Sequence, residues 1–178
     1  KEWFPDGARL IDVGTGAGFP GMPLAIARPD LKVTLLDSQR KRCDFLSAVC
    51  DELKLPNVTV LHARAEDGAR GALREQMDEA VARAVAPLNV LAEYLLPYVR
   101  VGGRMLCWKG PAVREEMAAG ERACKMLGGQ AEGLYRLPIE GREHYVHSAI
   151  KISATARRYP RKSGTPSKDP LGILPQKP

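Results

Sequence analysis

Asp12 is followed by glycine at positions 14, 16 and 18, and then by Phe19, Pro20 and Gly21. Five of the eight positions from 14 to 21 are glycine or proline. Glycines at this density free the backbone to take positive φ and let its N–H groups approach a ligand. An acid beside such a loop places a carboxylate where a cationic or hydrogen-bond-donating ligand could meet it. Two ligand chemistries are open. Gly16, Gly18 and Gly21 satisfy the dinucleotide spacing, and Asp37 lies 21 residues after Gly16. That reading predicts a nicotinamide dinucleotide enzyme.

The second reading takes Asp12 with the alternate glycines, a pattern similar to the S-adenosylmethionine (SAM) loop of seven-stranded methyltransferases. The dinucleotide match begins two residues late relative to the end of the preceding strand. Asp12 also suits a cationic methionyl group better than a pyrophosphate. Asp37 closes an apolar segment, where an acid can accept hydrogen bonds from both ribose hydroxyls. Ser38 follows and could cap the next helix. Ala65 and Glu66 follow the third apolar segment, where this class holds the adenine edge. Arg83 falls within the apolar run 80–86 and should project at the ligand-binding end, since arginine is seldom buried without a partner.

These residues need elements to position them. Ala8–Val13, Lys32–Asp37, Val58–Ala63, Glu79–Val85 and Arg104–Trp108 read as strands. Helices are expected over Pro20–Ala27, from Ser38 to Leu53, over Asp67–Gln76, from Pro87 to Val99 and over Pro111–Leu127. Gly102 and Gly103 read as the turn before the fifth strand. Ala131–Leu137 and Tyr145–Ser153 follow without a helix between them and should pair antiparallel. The repeated strand–helix units predict an α/β, Rossmann-like fold: a seven-stranded, mostly parallel sheet with a terminal antiparallel hairpin and helices on both faces.

The 178 residues carry a formal net charge of +6. From Thr155 onward there are six basic residues and one acid, so this stretch holds +5 of the total, with five of the 14 prolines. Residues 1–7 read as the remnant of an N-terminal segment, 8–154 as the cofactor domain and 155–178 as an extended basic arm. The arm suits a polyanion such as nucleic acid, or it is a solvated tail. No stretch is apolar enough over some 18 residues to span a membrane. Cys43, Cys50, Cys107 and Cys124 form no metal-ligand spacing and read as buried free thiols in a reducing, cytoplasmic setting.

The acceptor can be narrowed. The segment Ala82–Pro87 lacks the Asn/Asp-Pro-Pro-Tyr/Phe tetrad of exocyclic-amine methyltransferases. Cys107, followed by Trp108 and Lys109, does not match a cytosine C5 nucleophile. Guanine N7 is an exposed acceptor that carries no proton. Its methylation needs alignment rather than a general base, and alignment can contribute about 7–11 kcal/mol.

The motifs in order are Leu-Ile-Asp-Val-Gly-Thr-Gly-Ala-Gly-Phe-Pro-Gly (10–21), Leu-Leu-Asp-Ser with Lys41 and Arg42, Arg64-Ala65-Glu66, Val81-Ala-Arg83-Ala-Val85, Lys109-Gly110 and the stretch from Tyr159 to Leu171. Together they resemble the RsmG, or GidB, family of small-subunit ribosomal RNA methyltransferases. The resemblance implies SAM-dependent methylation of N7 of one guanine in the decoding region of bacterial 16S rRNA, with S-adenosylhomocysteine as product. It implies cofactor contacts at Gly14, Phe19, Asp37, Ala65, Glu66 and Arg83, with Gly16 and Gly18 in the same loop; Asp12 and Ser38, beside them, are expected to bind the cofactor too. Lys109 and Arg83 would position the reacting groups, with no metal. Arg40, Lys41, Arg42, Arg64, Lys109, Arg158, Arg161, Lys162 and Lys168 would meet RNA, although a solvated helix face accounts equally well for the first four. The expected partner is 16S rRNA within the small ribosomal subunit, met by a monomer. Deletion after Thr155 is expected to abolish RNA methylation and leave cofactor affinity largely intact.

Overall fold

The computed structural model describes residues 3–83 and 86–174. Seven strands form one sheet in the order β3-β2-β1-β4-β5-β7-β6. They are β1 (Arg9–Val13), β2 (Lys32–Asp37), β3 (Val58–His62), β4 (Met77–Arg83), β5 (Val99–Lys109), β6 (Gly129–Arg136) and β7 (Tyr145–Lys151). The first five are mutually parallel, and β7 runs antiparallel to both β5 and β6. The helices are α1 (Gly21–Ala27), α2 (Arg40–Glu52), α3 (Ala65–Gly68), α4 (Leu88–Leu95), α5 (Val113–Met126) and α6 (Thr165–Lys168).

Side chains alternate across each strand, so the sheet divides the core in two. Leu10, Val81 and Leu106 pack on one face with Met22 of α1 and Leu46 of α2. Ile11, Ala80 and Met105 pack on the other with Leu91 of α4 and Cys124 of α5. Trp3 and Phe4 lie against the first face, where the Trp3 ring meets Tyr135 edge-on at 4.9 Å. All four cysteines are buried and free. Among the described residues, no helix is long and apolar enough to cross a membrane.

Several boundaries differ from expectation. The N-cap of α2 is Gln39 rather than Ser38, and the Asp37 carboxylate accepts the Gln39 N–H at 2.9 Å. The helix expected over 67–76 is a single turn that starts at Ala65 and ends at Gly68. Helix α4 stops at Leu95, four residues early, because Pro97 cannot supply a helical N–H. Its expected last residue, Val99, instead opens β5 and pairs with Met77. Gly102 and Gly103 therefore sit inside β5, where Gly102 takes φ of 87° and the register against β4 shifts. The last two positions of the expected fourth strand, 84 and 85, lie outside the described residues.

The largest difference concerns residues 155–174 of the expected arm, which are not extended; its last four positions, 175–178, lie outside the described residues. The described segment folds back across α3 and α4. Tyr159 and Leu171 are buried in the core, Asn89 donates to the Leu171 carbonyl at 2.8 Å, and Arg74 donates to the Thr155 and Tyr159 carbonyls at 2.7 and 2.8 Å. The buried ammonium of Lys151 anchors its start, donating to Thr155 Oγ1 at 2.6 Å and to the Leu96 carbonyl at 2.7 Å.

Candidate functional site

The order of the sheet reverses beside β1, and the glycine loop leaves β1 at that point. This is where open α/β sheets bind ligands. The carboxyl ends of the five parallel strands bring Gly14, Asp37, Ala65 with Glu66, Arg83 and Lys109 to one edge of the sheet.

Asp12 organises the loop. Its side chain is fully buried and points toward α1, where Oδ2 accepts the Thr15 hydroxyl at 2.6 Å and the Gly21 N–H at 2.8 Å. Its Oδ1 is buried and has no partner among the described residues. Burial pushes the Asp12 carboxyl up to about 6; the Thr15 and Gly21 hydrogen bonds and the positive charge of Arg83 hold it down only in part. An anionic Asp12 thus gains most from a donor or a cation at the loop. Gly14, Gly16 and Gly18 have φ of 70°, 62° and 98°, which side chains rarely adopt. At Gly21 the constraint is space: a β-carbon there would lie 2.5 Å from Leu35 Cδ2 and 2.9 Å from Asp12 Cβ.

Asp37 is also buried. Its Oδ2 accepts the Gly16 N–H at 3.0 Å, and Arg42 of α2 approaches the same oxygen at 3.4 Å. The carboxylate thereby ties the loop to the start of α2. Gly14 and Ser38 belong to the wall of a cavity of about 180 Å³ whose far side is Ala65, Glu66 and Tyr94. Glu66 is buried and accepts the Gly164 N–H at 2.7 Å.

Phe19 is half exposed, and the Arg83 guanidinium lies 5.0 Å above its ring. Such a stack stabilises and orients both groups. Arg83 itself is exposed, as its place at a strand end allows. Lys109 is held by two acceptors, the Ala86 carbonyl at 2.9 Å and Glu116 at 2.8 Å. Glu116 also accepts the Leu88 N–H at 2.7 Å, which joins α5 to the start of α4. Lys109, Trp108 and Glu116 border a second cavity, of about 350 Å³. An ammonium has three N–H donors, so one is left for a group entering that cavity. His147 is fully buried on β7, and burial drives its imidazole down to about 4, so it is neutral at pH 7.

The basic residues divide into two kinds. Arg40, Lys41, Arg42, Arg64, Arg158, Lys162 and Lys168 are exposed. Arg158 lies 5.1 Å over the Tyr159 ring. Arg161 differs from them: its guanidinium is bound to Glu93 at 2.8 Å and to Asp169 at 2.9 Å. Its role in the structure is to fasten the C-terminal segment. Among the described residues, no group of three or more His, Cys, Asp or Glu side chains could hold a metal ion.

Thr15, Glu93, Tyr94, Glu116, Gly164 and Ser167 were not singled out by sequence. Glu93 carried a usable signal: a carboxylate inside the apolar run Leu88–Leu96 demands a buried partner. The Tyr94–Ser167 and Glu66–Gly164 contacts had no local signature, because their partners lie 73 and 98 residues apart.

A glycine loop at the switch point of a 3-2-1-4-5-7-6 sheet with an antiparallel β7 defines the Rossmann-like methyltransferase class. The fold agrees. A predicted O-methyltransferase from Agrobacterium tumefaciens aligns with a TM-score of 0.63 and 22% identity, over 83% of this chain and 75% of that chain. A 16S rRNA (adenine(1408)-N(1))-methyltransferase from Catenulisporales acidiphilia, solved with cosubstrate SAM, aligns with a TM-score of 0.63 and 18% identity, over 84% of this chain and 87% of that one.

Sequence comparison is more specific. Residues 2–144 match the family described as rRNA small subunit methyltransferase G. The ribosomal RNA small subunit methyltransferase G of Alkaliphilus oremlandii (strain OhILAs) is 52% identical over 166 residues, covering 92% of this chain and 70% of that protein. That of Alkaliphilus metalliredigens (strain QYMF) is 49% identical over 174 residues, covering 96% and 73%. The chain belongs to the rRNA small subunit methyltransferase G family.

Proposed function

We propose that this chain transfers the methyl group of SAM to N7 of a guanine in the decoding region of 16S rRNA. It would act as a cytoplasmic monomer on the small ribosomal subunit. The observation that carries the cofactor assignment is Asp12. Its buried carboxylate underlies the glycine loop through Thr15 and Gly21, and its negative charge there favours the cationic methionyl end of SAM over the pyrophosphate of a dinucleotide. Asp37 and Ser38 would hold the ribose, Ala65 and Glu66 the adenine edge, and Gly14, Gly18 and Phe19 the methionyl side. Gly16, whose N–H donates to Asp37, would shape the same loop against the cofactor.

SAM supplies an electrophilic methyl group, and guanine N7 supplies a lone pair with no proton to remove. The chain's own work is then alignment and charge compensation. Arg83, stacked on Phe19, and the remaining donor of Lys109 would orient the base, and a donor toward O6 offsets positive charge developing on the purine. Arg40, Lys41, Arg42, Arg64, Arg158, Lys162 and Lys168 would bind phosphates from the exposed surface around this edge. Arg161, engaged by two carboxylates, would hold the C-terminal segment.

The test is transfer of labelled methyl from SAM to small ribosomal subunits lacking the modification, followed by borohydride and aniline cleavage. Strand scission at one guanine is the expected result. Label without scission would place the methyl on another atom, and saturable NADH binding without S-adenosylhomocysteine binding would refute the cofactor.

A further inference from the structure

The Lys162–Lys168 stretch makes three separate contacts with the elements that wall the smaller cavity. Ser163 donates to Asp67 of α3 at 2.7 Å. The Gly164 N–H donates to Glu66 of the same turn at 2.7 Å. Ser167 lies 2.7 Å from the Tyr94 hydroxyl on α4. Glu66 and Tyr94 both line the cavity, and Glu66 is buried. The stretch is set at one end by Arg161, clamped between Glu93 and Asp169. Lys162 and Lys168, which bracket the three contacts, are exposed. One short segment thus holds the cavity wall on its inner side and presents ammonium groups on its outer side.

We propose that Gly164 and Ser167 are positioning residues for the cofactor, so that phosphate contacts at Lys162 and Lys168 and cofactor binding strengthen each other. The proposal rests on the cofactor reading given above. Glu66 has one carboxylate oxygen committed to Gly164, which fixes the side chain in the cavity wall. The Ser167 contact does the same for the Tyr94 ring. A phosphate that draws Lys162 and Lys168 onto RNA favours the docked segment and hence the formed wall. Linkage is reciprocal: a cofactor that needs the formed wall raises affinity for RNA by the same factor. This reverses the expectation that the C-terminal segment can be lost without consequence for the cofactor.

Gly164 offers a clean perturbation. Its φ is 84°, and an added β-carbon would meet nothing within 4 Å, so Gly164→Ala strains the backbone without a clash. Ser167→Ala removes one exposed hydroxyl and leaves the core untouched. Calorimetry with S-adenosylhomocysteine on the full chain should show affinity reduced about three- to tenfold in each variant, the range expected for loss of one or two hydrogen bonds. Tyr94→Phe should weaken binding on its own and add nothing in the Ser167→Ala background. Unmodified small ribosomal subunits should raise S-adenosylhomocysteine affinity in the wild type, and less so in Gly164→Ala.

Unchanged S-adenosylhomocysteine affinity in Gly164→Ala and Ser167→Ala, against measurable wild-type binding, would overturn the proposal and leave the cofactor reading intact. So would a loss of methylation with no change in that affinity, which would make the segment an RNA contact alone. Absence of wild-type binding would overturn both readings together. Ser167→Ala keeps the test decisive should Gly164→Ala fold poorly.

Discussion

Asp12 holds the glycine loop through partners three and nine residues away, whereas Glu66 and Glu93 hold the C-terminal segment through partners 98 and 68 residues away. Both regions use a buried carboxylate with hydrogen-bond donors aimed at it. The difference lies in what must already be folded. The Asp12 contacts close once β1 and α1 meet, and little chain entropy separates these partners. The C-terminal segment has no surface to dock on until α3 and α4 lie on the sheet. A loop of the first kind can be rigid before a ligand arrives. A segment of the second kind can exchange between docked and undocked states and respond to what binds it.

The comparison breaks most visibly at Arg161. Arg161→Ala leaves the Glu93 carboxylate, with no exposed side-chain surface, without its cation. Stranding a buried charge costs about 3–5 kcal/mol. Urea unfolding should record a loss of that size, and an extended arm would give none. Gly21→Ala attacks the loop instead. Its added carbon would press on Leu35 and Asp12, an overpacking cost of about 1–3 kcal/mol. The two variants should separate in character: Gly21→Ala loses more S-adenosylhomocysteine affinity for each unit of stability than Arg161→Ala. Equal ratios would mean that loop and segment are not distinct in kind.

Glu79 is a control for both. It is buried on β4, its Oε2 has no partner among the described residues, and burial lifts its carboxyl from 4.5 to about 8, against the pull of Arg104. The folded state keeps the proton while the unfolded state releases it near pH 4.5. Glu79 therefore costs nothing below pH 4.5, costs progressively more as pH rises, and reaches its full cost above pH 8. Glu79→Gln should change stability little below pH 4.5 and raise it progressively from there, by up to several kcal/mol at pH 8.5. Parallel pH–stability curves for wild type and variant would show that Glu79 finds a partner in solution.

How much of this was legible follows the same division. Strand β2 was bounded correctly at Lys32 and Asp37, because a β-branched apolar run between turn signals is a local pattern. The loop was legible for the same reason: its glycines and Asp12 are contiguous. Ser38 misled as a cap, since the choice between Ser38 and Gln39 turns on Asp37 accepting the Gln39 N–H, a geometric matter. Gly102 and Gly103 misled because glycine marks a bulge within a strand as readily as a turn. The basic, proline-rich composition after Thr155 suggested solvation, yet Tyr159, Arg161 and Leu171 find their partners in Arg74, Glu93 and Asn89, far back in the chain. Charge and proline content describe a segment's own preferences, and here the surface that receives it decides.

The smallest expected effect is the sharpest on the last point. Lys162 and Lys168 sit within a few residues of Arg161 and carry the same charge, but both are exposed. Replacing either with alanine removes no buried partner, so stability should stay within about 0.5 kcal/mol of wild type. If they meet phosphates, each replacement should lower the slope of log affinity for rRNA against log salt concentration by about one. Weakening should be uniform across RNA sequences, since phosphate contacts position without specifying. Arg161→Ala should do the opposite, changing stability strongly and affecting RNA binding only by undocking the segment. A salt slope that falls for Arg161→Ala but not for Lys162→Ala or Lys168→Ala would mean that the carboxylate clamp opens on RNA. The guanidinium, rather than the two lysines, would then be the charge that meets the phosphate.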